Sequence, residues 1–156
     1  MRLTTFTDYA LRVLLHAATA PDGRATIAGV ARTHAISEHH LVKVVHRLGK
    51  AGLLANTRGR GGGLRLARDA ATITLGEVVR LTEGETVLAD CFAGGAPCPL
   101  LGRCRLNEAL RQADDAFHAV LDRHTLLDLL PLPGENIEKD PSPPHRMRMP
   151  LAGGRL

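Results

Sequence analysis

The sequence predicts a mainly α fold, a winged helix-turn-helix with a two-stranded wing and a long C-terminal dimerisation helix, and three observations carry that expectation. Apolar residues recur at helical spacing from Phe6 to Leu48. A glycine-rich stretch then shortens the period to 2, and a heptad-like seam follows a Gly/Pro-rich segment. Composition agrees: of 156 residues, 44% are hydrophobic but only 3% aromatic, with no Trp. The core must therefore be built from Leu, Val, Ile and Ala, a palette that favours helices over a β-sandwich. The length suits one domain with an arm for a partner and excludes a large multidomain enzyme.

In chain order, Phe6, Ala10, Val13, Leu14 and Ala17 share one face of a helix from Thr5 to about Ala20, ended by Pro21-Asp22-Gly23. A short second helix runs from Thr26 to about Thr33. After the turn His34-Ala35-Ile36, Ser37 is placed to cap a third helix with the stripe Leu41, Val44, Val45 and Leu48, closed by Gly49 and Gly52. Two short helices about a tight turn form the helix-turn-helix pattern. Leu53–Thr57 and Gly63–Arg68 can pair as strands around Arg58-Gly59-Arg60-Gly61-Gly62, which makes a wing. Thr74 and Glu77 have capping-box spacing for a fourth helix over 75–83. Residues 1–83 thus form the DNA-binding domain and 84–104 a cysteine-bearing loop. Over 105–130, Leu106, Leu110, Ala113, Phe117, Val120, His124 and Leu127 alternate spacings of four and three, the seam of a dimerisation helix. A helix folded back onto its own domain is the alternative. Six of the nine prolines lie beyond Leu130, so 131–156 is expected to be a disordered tail.

Charge divides the chain. Residues 1–69 hold eleven Lys or Arg against four Asp or Glu, a net of +7; residues 70–156 hold nine against twelve, a net of −3. A basic front half points to a polyanion. Ser37, His39, His40 and Lys43 lie near the start of the third helix, where side chains reach base edges in the major groove. Solvated histidines are the plainer alternative. Arg58 and Arg60 can enter a narrow minor groove from the glycine-rich hairpin, or else form a solvated turn. Arg2, Arg32 and Arg47 are expected to be phosphate contacts. The amphipathic start lacks the marks of a signal peptide, and no apolar run approaches membrane-spanning length, so a cytoplasmic protein without membrane attachment is expected.

Cys91, Cys98 and Cys104 are separated by six and then five residues, most of them small or flexible. An odd number of cysteines argues against a disulfide framework. Thiolates so spaced can converge on a soft metal centre; ordinary buried thiols are the alternative, though such thiols usually sit in apolar elements. Tetrahedral zinc or a four-iron cluster needs a fourth ligand, and Asn107, three residues past Cys104, is a poor one.

Met1-Arg2-Leu3-Thr4-Thr5-Phe6-Thr7-Asp8-Tyr9-Ala10-Leu11-Arg12, the wing Arg58-Gly59-Arg60-Gly61-Gly62-Gly63-Leu64-Arg65-Leu66-Ala67, the three cysteines and His124-Thr125-Leu126-Leu127-Asp128-Leu129 stand in this order. Together they resemble the nitric-oxide-sensing repressors of the winged-helix iron-sulfur regulator family, over residues 1 to about 130. The resemblance implies a homodimer on a palindromic double-stranded DNA operator, released when its 4Fe-4S or 2Fe-2S cluster is nitrosylated. It also implies that Cys91, Cys98 and Cys104 hold the cluster with Asp8 of the partner subunit, and that Arg12 lies close by. Asn107 stands where other members of the family place a histidine ligand, and the interval from Cys91 to Cys98 is longer than usual. Thr5-Phe6-Thr7-Asp8 also fits a capping box in which Asp8 closes the helix start.

Competing accounts are a regulator of the same fold sensing redox or iron status, a zinc- or thiol-based repressor, and a cluster carrier, which leaves the wing unexplained. Catalysis lacks a phosphate loop with its Lys-Ser/Thr ending, paired carboxylates and a nucleophile with a placed base, so no enzyme is expected.

Overall fold

Thr4 opens the first helix: its hydroxyl accepts the backbone N–H of Thr7 at 3.3 Å, and α1 spans Thr5–Thr19. The computed structural model describes residues 2–57, 62–84 and 104–130; the predicted tail and most of the cysteine loop lie outside them. After a 3-10 turn at Pro21–Gly23, Thr26 caps α2, Ile27–His34, by accepting the N–H of Gly29. Ala35 then takes a left-handed conformation, φ 53°, and turns the chain into α3, Glu38–Lys50.

Helix α3 ends on Gly52 rather than Gly49. Gly49 is helical, whereas Gly52 adopts φ +71° and donates to the Gly49 carbonyl while Leu53 N–H reaches back to Leu48 O at 3.0 Å. This is a Schellman ending, with its two apolar members, Leu48 and Leu53, fully buried.

The wing strands β1, Leu54–Thr57, and β2, Gly63–Leu66, pair antiparallel with Leu54 opposite Leu66 and Thr57 opposite Gly63. Ala25 adds a bridge beyond the two strands: it exchanges hydrogen bonds with Leu64 at 2.8 and 2.7 Å, pinning the wing to the turn before α2. A methyl at Gly63 would stand 2.6 Å from the Ala25 carbonyl, which explains glycine there.

Thr74 caps α4, Leu75–Glu83, by accepting Glu77 N–H at 3.1 Å, but the Glu77 carboxylate bonds Arg68 at 2.6 Å, so only half of the expected capping box forms. The last helix among the described residues, α5, spans Arg105–Leu121 and does not reach 130. The chain turns there because it must return to the domain. Leu75 N–H donates to His124 O, Thr125 bridges Thr74, and Leu126 N–H donates to Ile73 O while its side chain enters the core fully buried. His124 and Leu127 are therefore not members of a helical seam, and Leu127 is 52% exposed. Arg80 and Asp122 form an ion pair that ties the end of α5 to α4.

The core gathers Val13 and Leu14 of α1, Val30 of α2, Leu41, Val44 and Leu48 of α3, Leu64 of the wing, and Ile73, Val78 and Leu126. Burial of such side chains supplies the bulk of the folding energy, about 1.5–3 kcal/mol each. No side chain of α5 is buried; Leu106 and Val120 are 65% and 44% exposed. No helix among the described residues is long and apolar enough to cross a membrane.

Candidate nucleic-acid interface and metal centre

Helix α3 buries Leu41, Val44, Val45 and Leu48, so geometry alone turns Glu38, His39, Val42, Lys43, His46, Arg47 and Lys50 outward. Ser37 occupies the cap position as expected, but its side chain makes no cap hydrogen bond; its carbonyl accepts the N–H groups of His40 and Leu41 instead. His39 and Lys43 are exposed. His40 stands beside Tyr9 of α1, ring centres 6.2 Å apart, which couples the first turn of α3 to α1. Arg2 and Arg32 are exposed. Arg47 is also exposed, but it spends one N–H on the carbonyl of Leu81 at 3.2 Å, so it braces α3 against the last turn of α4. Arg58 and Arg60 lie outside the described residues.

The candidate metal ligands are less complete. Cys91 and Cys98 lie outside the described residues. Cys104 occupies the cap position of α5, half-buried, with its side chain making no cap hydrogen bond. Asp8 does not close the start of α1. It is one residue too far along the helix, and its carboxylate pairs with Arg12 Nε at 2.9 Å, both side chains close to half exposed. Among the described residues no three His, Cys, Asp or Glu converge as a metal site. The chemistry of the donors nevertheless suits iron: soft thiolates, one of them free at a helix start, and a carboxylate whose present partner holds it weakly. An ion pair so exposed is worth about 0–1 kcal/mol, so Asp8 gives up Arg12 at little cost.

The start of α1 is closed from a distance. Glu83, the last residue of α4, accepts the backbone N–H of Thr4 at 2.7 Å, the Thr4 hydroxyl at 3.1 Å and the Thr7 hydroxyl, whose oxygen also lies 2.8 Å from the Thr82 hydroxyl. Although partial burial opposes it, this set of donors holds the Glu83 carboxyl below its ordinary value. No local motif announced the contact, which joins residues 79 apart.

A second pair sits on the far side of α1. His16 and His34 meet edge to face, ring centres 5.6 Å apart, beside a cavity of about 320 Å³ that Leu129 and Leu130 also line. Burial lowers the pKa of both; for His34, His16 and Arg12 lower it further and Asp8 opposes them.

A helix-turn-helix carrying a pinned two-stranded wing defines a winged-helix transcriptional regulator. The Rrf2 family, described as iron-dependent transcriptional regulator, matches residues 3–131, and the chain belongs to it. It is 49% identical over 132 residues to the HTH-type transcriptional regulator NsrR of Geobacillus kaustophilus, covering 83% of this chain and 90% of that protein. The regulator of the same name in Bacillus subtilis is 46% identical at the same coverage. Among solved structures, CymR, the global cysteine regulator of B. subtilis, superposes with a TM-score of 0.67 at 30% identity, over 83% of this chain and 95% of that one.

Proposed function

We propose that the protein is a dimeric transcriptional repressor that binds a palindromic DNA operator and releases it when nitric oxide attacks an iron-sulfur cluster. Cys91, Cys98 and Cys104 hold that cluster with Asp8 of the partner subunit, and Arg12 lies beside it. When bound, the cluster supplies the iron with which nitric oxide reacts. The resemblance to NsrR supports the signal, and the donor chemistry supports the cluster.

The observation that carries this reading is the bonding of the last turn of α4. From that turn the chain enters the segment bearing Cys91 and Cys98. Glu83 fastens it to the start of α1, one residue before Asp8, and the Leu81 carbonyl receives Arg47 of α3. The last turn of α4, the Asp8 helix and the helix presenting residues to DNA therefore share one hydrogen-bonded junction. Asp8 has two possible partners, Arg12 in its own helix and a site outside it, and the choice between them bears on the tilt of α1. Helix α1 packs on α3, with Tyr9 beside His40 and with Val13, Leu14 and Leu41 in one buried core, so a tilt of α1 moves the reading head. A palindrome demands a fixed separation of two such heads, so a small change removes much of the specific affinity. The exposed Leu106 and Val120 of α5 supply apolar surface for the dimer.

The test is an absorbance spectrum of anaerobically purified protein titrated with nitric oxide while operator binding is followed. Cluster absorbance that bleaches in step with DNA release is the expected result. A colourless protein after anaerobic reconstitution with iron and sulfide would replace this reading with a zinc- or thiol-based repressor.

A further inference from the structure

Val42 takes no part in the buried core to which α3 contributes. It falls out of phase with the buried stripe of α3 and stands 52% exposed in a row of charged and polar neighbours, with His39 three positions before it, Lys43 beside it and His46 four positions after. The other large apolar side chains exposed among the described residues, Leu3, Leu106, Val120, Leu127 and Leu129, all lie outside α2 and α3. Valine is also a poorer helix former than the Lys, Arg or Gln that a solvated position favours.

We infer that Val42 reads the 5-methyl group of a thymine in the major groove. The inference rests on the DNA-binding reading above and adds the base that this side chain selects. Lys43, Lys50 and His46 share its face and draw in a polyanion. Of the four bases, thymine alone presents an apolar group on the major-groove edge, whereas the others offer donors and acceptors. An isopropyl group has neither, so it discriminates by apolar contact alone. Its branching at Cβ fixes χ1, and the two methyls approach the groove with little entropy to lose. Val42 lies about one turn into α3, in the N-terminal part that reaches base edges, with His39 and Lys43 available to hydrogen-bond the neighbouring base pairs.

The experiment starts from the full-length protein with its cluster and a random duplex library, from which bound sequences are selected. Thymines of the selected palindrome are then replaced by deoxyuridine, one symmetric pair at a time, which removes the methyl and leaves every hydrogen bond. At one pair of positions affinity is expected to fall about fourfold per half-site, the worth of one buried methyl. Val42→Ala should weaken binding to the thymine duplex by a similar factor and abolish sensitivity to that replacement; Val42→Thr, which keeps one methyl, should fall between. Helical content by circular dichroism should stay unchanged in both variants, since the site is exposed. If deoxyuridine costs nothing at any position, or costs Val42→Ala as much as the parent, the assignment of Val42 is wrong while DNA binding stands. If the library yields no enriched sequence, the DNA-binding reading falls and this inference with it.

Discussion

The Glu83 carboxylate accepts the backbone N–H of Thr4 at 2.7 Å, so the last residue of α4 performs for α1 what a glutamate three residues past the cap does within a single helix. Thr7 occupies that third position, and its hydroxyl donates to the same carboxylate instead of reaching back. Glu83→Ala leaves a helix-start N–H and two hydroxyls without this acceptor, and is expected to cost about 1–2 kcal/mol in urea unfolding. The effect depends on pH in a definite direction. The Glu83 carboxyl is held below its ordinary value of 4.5, so its contribution is full above that pH. It is lost as the pH falls through the lowered titration of the folded chain. The parent and Glu83→Ala should therefore converge in stability on the acid side; a gap that persists there would assign the loss to packing.

That contact marks the limit of what the sequence discloses. The helix-turn-helix and wing were legible because their signals are local: a stripe at Leu41, Val44, Val45 and Leu48, a cap at Thr26, and glycines around a change of period. The same local logic offered Asp8 as the closing carboxylate of α1 and missed Glu83, since a partner 79 residues away leaves no periodic trace. It also carried the last helix past its end. His124 and Leu127 continue a spacing of four and three by arithmetic, but the backbone bonds to Ile73 and Leu75 bury Leu126 and break the helix at Leu121. The cysteines stand out in the sequence because thiols amid Gly and Pro have few structural uses, but convergence is a property of space that spacing does not fix, and Cys91 and Cys98 lie outside the described residues.

His16 and His34 are expected to make the domain sensitive to mild acid. Both titrate below the ordinary 6.5 when folded, His16 through burial, His34 through burial and then through the positive neighbours His16 and Arg12. The Nε2 atom of His34 is buried with no hydrogen-bond partner among the described residues, so a proton placed there finds no acceptor. The unfolded chain takes up protons that the folded one refuses. Stability is therefore full above pH 6.5 and declines as the pH falls from there toward the folded titration. Melting temperatures between pH 7.5 and 5.5 should drop for the parent and drop less for His34→Phe, which keeps a ring and cannot titrate. Equal slopes for the two would show that the pair does not govern the decline.

Gly63 and Gly52 separate two uses of glycine. A methyl at Gly63 lies 2.6 Å from the Ala25 carbonyl, a backbone atom that cannot swing aside, whereas Gly52 has nothing within 4 Å and needs only its positive φ. Gly63→Ala is expected to break the bridge to Ala25 and cost about 1–3 kcal/mol, with weaker DNA binding because the wing is no longer pinned. Gly52→Ala should cost about 1 kcal/mol, for the strained conformation alone, and leave the wing in place. Proteolysis within 58–62 distinguishes them: faster cleavage is expected for the Gly63 variant only.

Asp8 and Cys98 should fail in different ways, and the difference tests the proposed division of labour. The Asp8–Arg12 pair is half exposed, so its loss in Asp8→Ala should change stability by less than about 1 kcal/mol. Three thiolates remain, and the variant should still assemble a cluster, with an altered absorbance or circular dichroism spectrum because one ligand is different. Its DNA release should then respond to nitric oxide at a changed concentration, since the tie between the cluster and α1 is missing. Cys98→Ala removes one of three thiolates and should leave protein that is colourless after anaerobic reconstitution, binds the operator weakly and shows no further response to nitric oxide. Unchanged spectra and response in Asp8→Ala would leave Asp8 as a surface partner of Arg12 and nothing more. Tight, nitric-oxide-regulated binding by Cys98→Ala would remove the cluster from the mechanism, because two remaining cysteines cannot supply the thiolates on which the switch depends.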